Sequence, residues 1–500
     1  MSERPASFVP LTFGAALGAA AKRSPSKIAM IDGARSCSFA TLVSRCGALT
    51  GAAIGAGVRK GDNVAIVARN CMEFIEIVAA LPDAGAAVAT INPRLAPPEI
   101  ADTIADCGAE LVFADAASAP AVRAIAGLRV IELGEQYERF IASSYDAAWP
   151  EIDEWDAWTI PYTSGTTGKP KGVILSHRSR MLVGLICASE FGCFGPDDRF
   201  LAMTPMNHGG GLGFPAGILS LGGSIEIIDK FDPETVLERL KFGGITGLFM
   251  VPTHFQMIFA LPPETLAKYA NPPITAILAN AAPLPQAMKE QIIPYFGATV
   301  LNELYAATET GLVCNLRPKD QLRKSSCVGA TFAHVEAEVR RDDGSVCKPG
   351  EIGELWSRSP VLFNGYWNRP AETATAIRDG WVSVGDMARR DDEGFLYIVD
   401  RLKDMVISGG VNIYPREIEE LLFTHPSIAD VAVIGVPDAI WGERLKTFAV
   451  VKRMVTASDL LDFCHGKIAS YKIPTTLSIV DALPRNANGK ILKTELRTWA

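Results

Sequence analysis

The densest cluster of chemically capable residues is Tyr162-Thr163-Ser164-Gly165-Thr166-Thr167-Gly168-Lys169-Pro170-Lys171-Gly172-Val173, with three glycines, four serine or threonine hydroxyls and two lysines in one turn-prone stretch. Backbone N–H groups bared by glycine, together with hydroxyls and ammonium charge, suit a loop that wraps a polyphosphate. It is not a Walker A loop, because Pro170 follows Lys169 where that loop places the serine or threonine that holds magnesium. The other metal-capable residues form no pattern: His177, His208, His254, His334, His425 and His465 lack ligand spacing, and the ten cysteines contain no C-x-x-C pair. The cysteines therefore read as buried free thiols in a reducing compartment.

Such a loop works only if regular elements hold both its ends. Apolar runs at 28–31, 64–67, 86–89 and 111–114 alternate with helical periods, one with Leu42, Cys46 and Leu49 on a single face and another near 73–80. Strands alternating with helices predict a parallel sheet from Lys27 to about Glu132. The alternation resumes after Ser164, with runs at 200–203, 224–228, 246–250, 275–278 and 299–304, which predicts a second layered αβ unit. Between Val335 and Val399 the turn pairs Asp343-Gly344, Pro349-Gly350, Asp379-Gly380 and Glu393-Gly394 predict a small β subdomain. Beyond Asp400, helices at 416–423 and 457–469 and strands at 431–436, 448–451 and 477–480 predict a compact α+β domain. The expected class is α/β: a large N-terminal domain of layered αβ subdomains plus a small β subdomain, and a small mobile α+β C-terminal domain.

Five hundred residues exceed what one core usually serves, so two or more domains are expected. Lysine and arginine total 48 against 56 acids, a net charge of −8, the wrong sign for a protein that neutralises nucleic-acid phosphates. With 48% hydrophobic and 21% charged residues the chain should fold throughout. No apolar run has the length of a membrane span, and residues 1–12 carry no apolar signal core, so a cytoplasmic protein without integral membrane association is expected.

Further segments follow the phosphate loop in order: Tyr305-Ala306-Ala307-Thr308-Glu309; Gly385-Asp386; Asp400-Arg401-Leu402-Lys403-Asp404, then Ser408-Gly409-Gly410-Val411-Asn412-Ile413-Tyr414-Pro415-Arg416-Glu417; and Pro484-Arg485-Asn486-Ala487-Asn488-Gly489-Lys490. With these motifs in register, nearly the whole chain resembles the adenylate-forming superfamily of acyl-CoA synthetases, luciferases and peptide-synthetase adenylation domains. Among these it is most similar to the AMP-dependent acyl-CoA synthetases and aryl-CoA ligases. The resemblance implies an N-terminal adenylation domain over 1–400 holding the ATP and acyl sites, a hinge at 401–404 and a mobile domain over 405–500. It also implies ATP, Mg²⁺ and coenzyme A.

Carried over residue by residue, the resemblance assigns Thr163, Ser164, Gly165, Thr166, Thr167, Gly168, Lys169 and Lys171 to the ATP phosphates, and Ala281, Ala282, Pro283 and Tyr305 to the adenine. Thr308 would donate to the α-phosphate, and Glu309 would offer a hard oxygen to Mg²⁺. Asp386, with Arg401 nearby, would accept from the ribose diol, which a carboxylate does better than a neutral side chain. Lys490 would bridge the attacking carboxylate and the α-phosphate, where its ammonium offsets developing charge. Its neighbour Lys493 is read as an ordinary solvated loop lysine. Lys403 takes the hinge position. Gly409 and Gly410 would let pantetheine pass, while Trp441, Tyr471 and Lys472 fall where similar ligases meet the CoA nucleotide; Ile473 stands where such an enzyme can carry arginine.

The acyl pocket implied by the resemblance uses the gating His208, with Gly209, Gly210, Gly211, Ala279, Asn280 and Ala306. No lysine or arginine occurs in its three segments, 206–214, 279–281 and 304–307. A second substrate carboxylate would lack a partner there, which points to an apolar aromatic or medium-chain monocarboxylic acid. The expected activity is ATP-dependent acid:CoA ligation through an acyl-adenylate. The alternatives are a free-standing acid-adenylating protein without CoA transfer and a non-catalytic acyl-adenylate or AMP-binding regulator. Oligomeric state is not encoded in these motifs.

Overall fold

The structure, a computed structural model, describes residues 7–144, 146, 148–163, 170–282, 284–485 and 491–499. Packing divides the chain into two compact units, Met1–Glu336 with Ser357–Val382, and Ala337–Trp356 with Ser383–Ala500. The expected hinge at 401–404 lies within the second unit, together with most of the strands of the predicted small β subdomain.

In the first unit, a seven-stranded sheet runs Gly365–Tyr366, Lys171–Ser176, Ala157–Thr163, Ala87–Ile91, Asn63–Val67, Leu111–Ala114, Arg129–Glu132. Its last five strands are parallel. The central strands Asn63–Val67 and Ala87–Ile91 are buried at every residue, which is why they read as continuous apolar runs rather than alternating ones. A nine-stranded sheet follows the order Ala330–Thr331, Gly311–Leu316, Leu301–Ala307, Ala276–Ala279, Gly247–Met250, Arg199–Ala202, Ser224–Ile227, Ile28–Asp32, Arg35–Ser38. The predicted strand at 28–31 therefore belongs to this second sheet, beside Ser224–Ile227, and not with its sequence neighbours. Its place is taken by Ala157–Thr163, which pairs with Ala87–Ile91.

Two helices of this unit frame the site. His177–Phe191 starts where Ser176 Oγ accepts from Ser179 N (3.2 Å) and stops at Gly192, whose φ of +63° favours glycine. Gly209–Leu221 starts after His208 and ends at Gly222. The two helices meet at bare backbone, because a Cβ on Gly184 would lie 2.9 Å from Gly217 Cα.

In the second unit, strands Glu336–Arg340, Ile352–Arg358, Asp386–Arg390 and Leu396–Arg401 belong to a small sheet with antiparallel pairing. A further sheet orders Val411–Ile413, Val406–Ser408, Gly442–Val451 and Ile428–Asp438, with Thr476–Ile479 parallel to Gly442–Val451. Helix Pro415–Phe423 covers it, burying Ile418 and Leu422 against Val431, Val433 and Leu445. The helix expected at 457–469 stops at Asp462, and Gly466 at φ +71° turns the chain beyond it.

Candidate active site

The expected phosphate loop joins two antiparallel strands at the register pair Thr163↔Lys171. Ser164, Gly165, Thr166, Thr167, Gly168 and Lys169 lie outside the described residues, as do Pro283 and Lys490. Lys171 holds its ammonium 5.1 Å from the centre of the Tyr366 ring, and Tyr366 OH donates to Glu309 Oε1 at 2.8 Å. Tyr366 thus links the end of the phosphate loop to the expected Mg²⁺ ligand. Sequence reasoning missed it; the available signal was the aromatic pair Tyr366-Trp367 directly after Gly365.

Thr308 and Glu309 occupy the turn between strands Leu301–Ala307 and Gly311–Leu316. Three contacts hold this turn: Ala307 N donates to Thr310 Oγ1 (3.1 Å), Phe363 N donates to Glu309 O (2.9 Å), and Gly311 at φ +63° packs on Val361. Ala276–Ala279 and Leu301–Ala307 are parallel neighbours, so Asn280, Ala281 and Ala282 emerge beside Tyr305, Ala306 and Ala307 at the carboxyl ends of the strands. Ligands of open α/β sheets bind at such ends. Ala281 has φ +76°, a conformation unfavourable for a residue with a Cβ, and strain of this kind collects at ligand sites.

His208 precedes helix Gly209–Leu221, with Nε2 3.3 Å from Asn207 Nδ2. A Cβ on Gly209 would lie 3.9 Å from Thr308 Oγ1, so the start of this helix abuts the Thr308–Glu309 turn. A narrow cavity continues from there, lined by His208, Gly209, Leu212 and Gly213 on one side and by Thr90, Trp158, Thr159, Pro161, Leu175 and Met206 on others. Gly213 leaves open space for a side chain, whereas a Cβ on Gly211 would strike the Pro205 carbonyl oxygen at 2.0 Å and one on Gly210 would press on Phe249 at 3.1 Å. Gly210 and Gly211 thus serve packing, and Ala279 is buried with Met250 and Leu284 in the core. The cavity also has a cation that the acyl segments lack: Arg180, from helix His177–Phe191. The premise that no cation reaches the acyl region holds for those segments and fails for the cavity.

The second unit carries the remaining expected residues. Asp386 is buried and pairs with Arg401, Oδ1 to Nε at 3.0 Å. Asp400 accepts from Arg401 N (2.7 Å) and Arg416 N (3.0 Å), while burial pushes its carboxyl above the ordinary value. Lys403 is exposed in the single turn Leu402–Asp404. Gly409 and Gly410, at φ +58° and +78°, form the two-residue turn between paired residues Ser408 and Val411, so hairpin geometry by itself asks for glycine there. Trp441 packs on Gly409 and remains 54% exposed. Tyr471 is exposed, and Lys472 is paired with Glu417 at 2.7 Å. Lys493 is no solvated loop lysine: it is largely buried, 2.7 Å from Glu419 Oε1. Burial presses its pKa down, but the Glu419 and Asp400 carboxylates hold it above the ordinary value. The flanks of the expected lysine loop, Arg485 and Ile491, pair across an antiparallel bridge.

Among the described residues no group of three or more His, Cys, Asp or Glu side chains could hold a metal. A single carboxylate at Glu309 is the donor set suited to Mg²⁺ that arrives on ATP, because that ion keeps phosphate and water oxygens as its other ligands. Burial pushes His177 and His254 down to about 4, so both stay neutral.

Residues 17–367 match the family described as AMP-binding enzyme, and residues 417–490 match the AMP-binding enzyme C-terminal domain. The chain belongs to the AMP-binding enzymes. This AMP-binding enzyme is 34% identical to feruloyl-CoA synthase from an Amycolatopsis species, over 95% of its own length and 96% of the relative's. It is 33% identical to indoleacetate–CoA ligase from Aromatoleum aromaticum, with 95% of each chain covered. Among solved structures it resembles ATP-bound MatB from Rhodopseudomonas palustris, with a TM-score of 0.90 at 29% identity over 98% and 99% of the two chains. The o-succinylbenzoate CoA synthetase MenE from Bacillus subtilis, in complex with its acyl-adenylate intermediate OSB-AMP, gives 0.87 at 29% identity over 96% and 97%. The AMP-binding enzyme described here is an ATP-dependent acid–thiol ligase that forms an acyl-adenylate and then a CoA thioester. None of its described helices is long and apolar enough to cross a membrane.

Proposed function

We propose that this ligase activates a carboxylic acid with an aromatic or medium-chain carbon skeleton, and that the residues named above divide the work as follows. The acid carboxylate attacks the α-phosphorus of ATP and pyrophosphate leaves; the CoA thiol, losing its proton, then attacks the acyl carbon and AMP leaves. Thr163, Lys171 and the loop between them hold the phosphates. Thr308 donates to the α-phosphate, Tyr305 with Ala281 and Ala282 flanks adenine, and Asp386 accepts from the ribose diol with Arg401 fixing its orientation. Glu309, steadied by Tyr366, would hold the Mg²⁺ that neutralises phosphate charge when bound. His208 stands at the carboxylate end of the acyl site, and Lys490 serves the first step by neutralising charge that builds between carboxylate and phosphate. Lys403 is the hinge about which residues 405–500 reorient for the second step, when Gly409, Gly410 and Trp441 meet CoA. A reducing, cytoplasmic setting agrees with ten cysteines that are all free.

The observation that supports this reading is the contact between the start of the His208 helix and the Thr308–Glu309 turn, next to the cavity lined by His208, Gly209, Leu212 and Gly213. Pyrophosphate release measured over a panel of acids, with and without CoA, tests it. Acid-dependent release with thioester appearing only when CoA is added is the expected result. AMP binding without acid-dependent release would overturn it.

A further inference from the structure

Arg180 is 6% exposed, yet no described carboxylate lies within ion-pair distance of it. Its Nε lies 3.4 Å from Ser179 Oγ and its Nη2 donates to the Val361 carbonyl at 3.0 Å, which uses two of the five guanidinium N–H groups. Burial lowers its pKa to about 10, so it remains a cation at neutral pH. A cation removed from water without a counter-ion is unfavourable, and native chains keep such a group mainly where something else compensates it.

The surroundings show where compensation would come from. Arg180 lines the cavity that begins at His208 and Gly209, and every other described lining side chain is apolar, a hydroxyl or the His208 imidazole. The Cys187 thiol, two turns further along the same helix, is kept protonated by burial and supplies no counter-charge. Among the described residues the cavity therefore carries one fixed positive charge and no negative one.

We propose that Arg180 is a specificity residue that receives a second carboxylate at the far end of the acid, so that the substrate is a dicarboxylic acid activated at one end. This rests on the ligase reading. The reacting carboxylate would lie at the His208–Thr308 end, and the carbon skeleton would pass Gly213 and Leu212, for which the cavity, about 10 Å³ as it stands, must open. The distal carboxylate replaces the missing counter-ion, accepting from the guanidinium N–H groups that Ser179 and Val361 leave unused. No bond to Arg180 forms or breaks; it binds and orients.

The test is pyrophosphate release with matched pairs of acids, each pair sharing a skeleton and differing only by a distal carboxylate, for the intact chain and for Arg180→Met and Arg180→Lys. The intact enzyme should favour the dicarboxylate of at least one pair by about tenfold or more in kcat/KM. Arg180→Met should lose that preference, through a loss of about a hundredfold on the dicarboxylate with the monocarboxylate retained, and Arg180→Lys should recover part of it. A uniform loss across the panel would make Arg180 a strut for the Val361 carbonyl and overturn the proposal. If Arg180→Met does not fold, as a melting curve would reveal, the ranking by the intact enzyme decides: equal or better turnover of every monocarboxylate overturns it. Absence of acid-dependent release with any acid would instead sink the ligase reading, so the two failures are distinct.

Discussion

Tyr366 illustrates how one hydroxyl can set the working geometry of a carboxylate. Its OH donates to Glu309 at 2.8 Å while its ring lies under the Lys171 ammonium, so it fixes one group and leans on another. A hydrogen bond to a charged group contributes about 1.5–3 kcal/mol. Tyr366→Phe keeps the ring and removes only the hydroxyl, so adenylation should fall roughly tenfold or more, with the Mg²⁺ concentration for half-maximal rate raised and the melting temperature little changed. A Mg²⁺ titration of pyrophosphate release on both proteins checks this; superimposable curves would show that the hydroxyl does not position Glu309.

Helices frame the cavity beside His208 through residues that lack side chains, and the glycines of Gly209–Leu221 are not equivalent. Gly213 faces open space, whereas Gly211 faces the Pro205 carbonyl. Gly213→Leu should therefore leave stability unchanged or improved, since glycine is a poor helix residue, and lower kcat/KM most for the largest acids while KM for ATP stays near wild type. Gly211→Ala should instead cost about 1–3 kcal/mol of stability with no reordering of substrates. Melting curves and an acid panel separate the two outcomes.

A second helix contact carries a pH signature. Asp83, at the end of helix Met72–Asp83, packs its carboxyl against Gly14 of helix Phe13–Arg23, and burial raises its pKa to about 7. In the unfolded chain this group ionises near its ordinary value of 3.8. The contact is thus at full strength below about pH 4 and weakens as pH rises through about 7. Asp83→Asn should flatten the decline of melting temperature over that range and leave the variant a few degrees more stable at pH 8. Equal slopes for both proteins would show that Asp83 ionises freely in the fold.

For the whole molecule the two half-reactions are predicted to depend on reorientation at Lys403. It is the second residue of the short turn Leu402–Asp404. Lys403→Pro fixes φ near −65° and removes freedom there, so acyl-adenylate should still form and accumulate while thioester output drops several-fold. Quantifying bound adenylate and released acyl-CoA in the same reaction checks this, and unchanged overall turnover would place the pivot at another residue.

What the amino-acid order determined unaided is what local periodicity can encode. The strand Leu111–Ala114 and the helix Pro415–Phe423 fall within a residue of their predicted limits, because burial on one or both faces leaves a repeat of two, a repeat of 3.6 or a continuous apolar run in the chain itself. The turn at Glu393-Gly394 between two paired strands was equally legible, since turn chemistry is short-range. Tertiary structure decided everything that depends on which distant segment covers a residue. The strand Ile28–Asp32 carries no mark of which sheet it joins, because either offers an apolar edge. Lys493 looks solvated until Glu419 and Asp400 close around it. Arg180 belongs to no motif and becomes notable only when folding withdraws it from water beside His208 and, among the described residues, supplies no anion. Period and composition record that a residue is polar; only the packed fold determines what, if anything, answers its charge.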